Sequence, residues 1–187
     1  MKTILASGSS RRKEILELTG IPFEIVVSHI NEDLPITNPE ELVLQLSKQK
    51  ALAVQTMLTY KEPYQIIAAD TVVTLNGEIF GKPIDENQNL EFLLKLNNTM
   101  HTVYTGVCVL VYDGECSCTT FVEKTDVYMG NNPLSLIKKV VNTKDGLDKA
   151  GGYGIQSYGG LLIKKIEGCY YNVIGLPLNK LTSYLDI

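Results

Sequence analysis

Two spacings of apolar residues alternate along the chain. Short continuous or alternating runs read as strands, and runs with apolar positions three and four apart read as helices. TILA (3–6) predicts a short buried strand. Ser9 or Ser10 is placed to cap a helix to about Leu18, with Gly20 as its stop. FEIVV (23–27) predicts a strand. Asn38-Pro39-Glu40-Glu41 combines a cap, a proline in the first turn and acids at the positive end, and starts a helix to about Leu58. QIIAADTVVTL (65–75) predicts a long strand that turns at Asn76-Gly77 into EIF. Asp85 can cap a helix over about 86–97. TVYTGVCVLVY, then DG, then CTTFVEKTDVYM predicts two long antiparallel strands around a tight turn. Asn132-Pro133 starts a helix to about Val141. LLIKKI, EG and CYYNVI predict a third hairpin, and LPLNKLTSYL a final helix.

Helices and strands alternate, yet hairpins are frequent. That predicts an α/β fold with a mixed sheet and flanking helices, not a doubly wound parallel one. No repeat or low-complexity linker interrupts the 187 residues, which fit one large domain or two lobes sharing a core.

Composition narrows the function classes. With 44% hydrophobic and 20% charged residues, a packed core is expected rather than disorder. A formal net charge of -4 argues against broad attraction to nucleic acid, so an anionic ligand needs a local basic cluster. No apolar run has membrane-spanning length or the length of a signal peptide, which predicts a cytoplasmic protein with no membrane partner. Cys108, Cys116, Cys118 and Cys169 make no zinc pattern and read as reduced strand cysteines.

Four segments carry candidate chemistry. In LASGSSRRKEIL a strand, a small-residue turn and a helix start meet, a geometry that cradles phosphate. Ser7, Ser9 and Ser10 add hydroxyls, and Arg11 and Arg12 add bidentate oxyanion donors. Two cations beside the positive end of a helix dipole repel, and an anion would relieve that; the alternative is a solvated helix face. Asp70 interrupts an apolar strand, where an acid needs a partner, a metal or a turn. Lys82 in GKP would lie near Asp70 in a regular hairpin, as part of a site or of a simple salt bridge. Lys50, taken alone, reads as an ordinary surface lysine. The glycines of LDKAGGYGIQSYGG (147–160) permit close backbone approach to a ligand, and Tyr153, Ile155 and Gln156 are unusual in a mere tether. His29 and His101 make no metal cluster, and His101 reads as a structural hydrogen-bonding group.

Taken together the segments resemble the Maf family, septum-formation-inhibitor homologues known as nucleoside triphosphate pyrophosphatases. LASGSSRRKEIL is similar to the family's N-terminal signature, with Ser10 where many members have proline. AADTVVTLNGEIFGKP, HTVYTGV, DKAGGYGIQ and IGLP match further family blocks in order. The resemblance covers nearly the whole chain, as a single Maf-like domain over 1–187.

This resemblance implies an elongated mixed sheet with two lobes around a deep cleft, similar to inosine triphosphate pyrophosphatases. It implies hydrolysis of a nucleoside triphosphate to monophosphate and pyrophosphate with a divalent cation, Mg²⁺ or Mn²⁺, and extends to removal of non-canonical nucleotides and to a homodimer. Asp70 matches the catalytic acid/base position. Arg11, Arg12, Lys50 and Lys82 match basic positions that hold the triphosphate, Lys82 being grouped with the catalytic residues and Ser7 with the substrate-binding ones. Glu32 matches an acidic position near the metal, shared with Asp70. Arg12, Thr71 and Gln156 match positions linked to substrate choice, and Thr71 after the aspartate points to the subgroup acting on dTTP and UTP. Whether Asp70 takes a proton from water or positions the metal stays open. A nucleotide-binding regulator of cell division, with incidental hydrolysis, is the competing reading.

Overall fold

A computed structural model describes residues 1–185. The chain runs through β1 (Lys2–Leu5), α1 (Ser10–Glu17), β2 (Phe23–Ile25), α2 (Pro39–Met57), β3 (Tyr64–Leu75), β4 (Glu78–Phe80) and α3 (Glu86–Leu96). It continues with β5 (Met100–Asp113), β6 (Glu115–Met129), α4 (Leu134–Val141), β7 (Ile163–Glu167), α5 (Tyr170–Ile174) and α6 (Leu178–Thr182). Among the described residues the sheet has seven strands, in the order β2-β1-β3-β5-β6-β7 with β4 paired to β3. β1 pairs in parallel with β2 and β3, whereas β3–β4 and β6–β7 are antiparallel. The fold is therefore mixed α/β, as expected from the alternation of helices and hairpins.

Local chemistry accounts for most boundaries. Asn38 accepts from the Glu41 N–H with Pro39 in the first turn of α2, and Asp85 accepts from the Gln88 N–H to start α3. Asn76 and Gly77 take φ of 52° and 83°, the left-handed pair that a two-residue hairpin turn requires. No helix of the described residues is long and apolar enough to cross a membrane.

Two compact units divide the chain: Met1–Asp70, Thr105–Glu123 and Gly175–Ile187 in the first, Thr71–Tyr104 and Lys124–Ile174 in the second. A core of Ile4, Ala6, Ala51, Val54, Ile66, Ala68, Cys108 and Leu110 organises the first. In the second, Val73, Phe80, Leu93, Leu96, Val103, Val127, Ile137 and Leu162 pack together.

Two expectations are corrected. CYYNVI is not a strand: β7 pairs back onto β6, with Ile166 opposite Val127, and the chain then enters α5. Thr125 decides this. Its Oγ1 accepts from the Cys169 N–H (3.0 Å) and from Asn172 Nδ2 (3.0 Å), contacts across more than forty residues that a hairpin would forfeit. Cys169 consequently lies outside any strand, while Cys108, Cys116 and Cys118 lie on β5 and β6, and all four are free thiols. The second correction concerns Lys82. The β3–β4 ladder ends at Val73–Phe80, so Lys82 lies beyond the strand rather than on it. The residue before it is held by another partner: the Gly81 carbonyl accepts from the Gly151 N–H (3.0 Å).

Candidate active site

In the first unit, β1 is buried and delivers Ser7 to the start of α1. Ser9 caps that helix by accepting from the Arg12 N–H, and Ser10 occupies the first helical position, where proline is also at home. This explains how a serine can replace the family's usual proline. Ser7 is buried, and its Oγ accepts from the Ser9 N–H (3.2 Å) and from Arg12 Nη1 (3.4 Å). Arg12 Nε donates to the Gly175 carbonyl at 2.8 Å. Gly175 has φ of 122°, a backbone region that side-chain-bearing residues avoid, so IGLP supplies a carbonyl that another residue would struggle to present. The Arg12 fork is thus fixed at two points. Burial and the neighbouring Arg11 pull its pKa down, opposed by the negative charges of Asp70 and Glu32. A guanidinium remains charged throughout the physiological range regardless.

Asp70 lies on β3 with 7% of its surface exposed. Its acid is paired rather than placed at a turn: Lys50 Nζ donates to Oδ1 at 2.6 Å. The same ammonium lies 2.8 Å from Glu32 Oε1. Lys50 is itself buried, on the inner face of α2 among Leu46, Ser47, Ala51 and Val54. The surface-lysine reading of its segment is therefore wrong, and the pattern that could have corrected it was the helix's own, since Val43, Leu46, Lys50 and Val54 recur at three- and four-residue steps.

Glu32 and Asp70 present hard oxygen donors facing one cation. Mg²⁺ is commonly held by one or two carboxylates together with phosphate oxygens and water, so this donor set fits a divalent metal carried in with a triphosphate.

The second unit brings other candidates together. Thr71 opens it, directly after Asp70 on β3. Lys82 follows Gly81, whose carbonyl is tied to Gly151, and Asn89 Nδ2 donates to the Gly152 carbonyl at 2.7 Å. The GKP segment and the glycine-rich segment are thereby joined. Gln156 is exposed within the latter. His101 and Tyr153 anchor that segment from beneath, Nε2 to hydroxyl at 2.6 Å, as expected of a structural histidine. Sequence reasoning did not find Asp145, Lys149 or Ser157, which form a hydrogen-bonded group under the same loop.

Comparison with known proteins covers nearly the whole chain. A protein from Bacillus thuringiensis subsp. konkukian (strain 97-27), named dTTP/UTP pyrophosphatase, is 43% identical over 98% of this chain and 94% of its own length. One of the same name from Thermosipho africanus (strain TCF52B) is 45% identical over 99% of this chain and 92% of its own. A solved nucleoside-triphosphatase / dITP/XTP pyrophosphatase from Mycobacterium abscessus aligns with a TM-score of 0.39 at 14% identity, over 71% of this chain and 76% of that one. The profile described as Maf-like protein matches residues 2–187, so the chain belongs to the Maf family.

Proposed function

We propose that this chain hydrolyses dTTP and UTP to the nucleoside monophosphate and pyrophosphate. The observation that carries the reading is the buried Lys50 held between Asp70 and Glu32, in a chain 43% and 45% identical over nearly its full length to relatives named for that activity.

Hydrolysis needs a water directed at phosphorus, neutralisation of the phosphate charge, and a leaving pyrophosphate held in place. The reading gives Asp70 the water: its ion pair uses Oδ1, and the second carboxylate oxygen can accept a proton or orient the attacking oxygen. An ammonium has three N–H donors; Lys50 spends two on carboxylates and can turn the third to a phosphate oxygen. Arg12, fixed through Ser7 and Gly175, grips phosphate with little conformational freedom left to lose, and Arg11 adds charge beside it. Lys82 is assigned to the triphosphate as well. Glu32 and Asp70 would hold the divalent cation, which supplies charge neutralisation on the phosphates when bound.

Base choice is assigned to Thr71 and Gln156 in the second unit. Thymine and uracil present an N3–H donor between carbonyl acceptors, and one carboxamide can both accept from N3–H and donate to a carbonyl. Cytosine has the same size but lacks that donor.

The test is pyrophosphate release from dTTP, UTP, CTP, ATP and GTP, with and without Mg²⁺. Metal-dependent turnover clearly faster for dTTP and UTP is expected. Equal rates across the panel would overturn the substrate assignment, and tight nucleotide binding without turnover would favour the regulator reading instead.

A further inference from the structure

Gln156 is exposed, yet the residues around it are held by buried and partly buried bonds. Lys149 has only 9% of its surface exposed. Its ammonium donates to the Asp145 carbonyl, to Asp145 Oδ1 at 3.1 Å and to Asp148 Oδ1 at 2.8 Å. Three donors meet three acceptors, so this lysine has no N–H to offer a phosphate. The other oxygen of Asp145, Oδ2, accepts from Ser157 Oγ. Ser157 Oγ also lies 3.3 Å from the Gly154 carbonyl. A Cβ at Gly154 would meet Ser157 Oγ at 2.5 Å and Lys149 Cε at 2.7 Å, so backbone and side chains are packed without slack. At the other end of the segment Tyr153 is bonded to His101. Gln156 is therefore carried on a short bridge clamped at 153 and at 157.

We infer that Asp145, Lys149 and Ser157 are positioning residues for base selection: the Asp145 carboxylate, oriented by the buried Lys149 ammonium, holds Ser157 and with it the adjacent Gln156 at the register from which its carboxamide meets a pyrimidine edge. The inference rests on the reading of Gln156 given above. A glutamine side chain has three rotatable bonds, and a hydrogen-bonded edge is discriminated only if the amide arrives in one orientation. A partly buried, charge-assisted clamp next to it removes the backbone freedom that would otherwise blur the choice. Small misplacements of such a group reduce the rate steeply.

The experiment is a double-mutant cycle on the ratio of kcat/KM for UTP to that for CTP, using Ser157→Ala, Gln156→Ala and the double variant, with thermal unfolding of each. Ser157→Ala should lower the ratio on the order of tenfold, chiefly through the loss in kcat/KM for UTP, and the double variant should match Gln156→Ala alone. Asp145→Asn, which keeps the shape but removes the charge facing Lys149, should lower the ratio in the same way and serves if Ser157→Ala folds poorly. If Gln156→Ala lowers the ratio but Ser157→Ala and Asp145→Asn do not, or if the losses add in full, the positioning role is overturned and the reading of Gln156 survives. If Gln156→Ala itself leaves the ratio unchanged, both fall.

Discussion

Lys50 Nζ sits 2.6 Å from Asp70 Oδ1, both side chains 10% exposed, and the same nitrogen reaches the half-exposed Glu32 at 2.8 Å. The pair is asymmetric. Removing Asp70 leaves Lys50 with Glu32, whereas removing Lys50 leaves a buried carboxylate without the ammonium that donates to it. Lys50→Ala should therefore destabilise the protein by about 3 kcal/mol, the scale of a broken buried pair, and Asp70→Asn by distinctly less. Urea unfolding of the two variants checks the order; equal losses would mean that Glu32 contributes nothing to holding Lys50.

Turnover should separate from folding at Asp70. Asp70→Asn keeps the size of the side chain and leaves the Lys50–Glu32 contact in place, so the variant is expected to fold and bind UTP while losing most of its turnover. Near-wild-type pyrophosphate release from a folded variant would remove Asp70 from the proposed mechanism.

Arg12 is held as a fork, through Nε to Gly175 and through Nη1 to Ser7. Arg12→Ala should lower kcat/KM for UTP by about 1.5–3 kcal/mol, the scale of a lost charged hydrogen bond. Arg12→Lys should recover little of it, because an ammonium cannot make both fixed contacts and still present a bidentate face. Steady-state kinetics on the two variants decide the matter, and full recovery in the lysine variant would reduce Arg12 to a point charge.

His101 ties stability to pH. Burial pulls its pKa from 6.5 down to about 4, against the opposing charge of Asp126. Its Nδ1 is buried with no hydrogen-bond partner among the described residues, so protonation would leave a second charged N–H unmatched. Above pH 6.5 the ring is neutral in both folded and unfolded chains. As pH falls from 6.5 towards 4 only the unfolded chain gains the proton, so stability is lost over that window and levels off below it, by about 3 kcal/mol in all. Unfolding free energies from pH 7.5 to 4 should show this slope in the native chain and a shallower one in His101→Phe. Parallel slopes would assign the loss to other groups.

What the sequence by itself determined is what depends on neighbours a few residues away. The cap of α2 with proline in its first turn, the Asp85 cap of α3 and the Asn76-Gly77 turn are closed by bonds within four residues, and each fell where the residues placed it. The family signature was equally legible, since its blocks are contiguous. Tertiary structure decided the rest. CYYNVI has the apolar content of a strand, but Thr125 and Val103 capture Cys169 and Asn172 from across the fold, contacts that a hairpin would forfeit. Lys50 has the residue type of a surface and the position of a core, because α2 turns that face inward where two carboxylates arrive from β3 and from the segment before α2. The Gly175 carbonyl on Arg12 spans 163 residues, and the Ser157–Asp145–Lys149 group depends on how a glycine-rich segment folds over itself. Spacing along a chain specifies periodicity and turns; which charges share a buried volume is set only when distant segments pack, because the free energy of a buried ion lies in its partners and not in its own position.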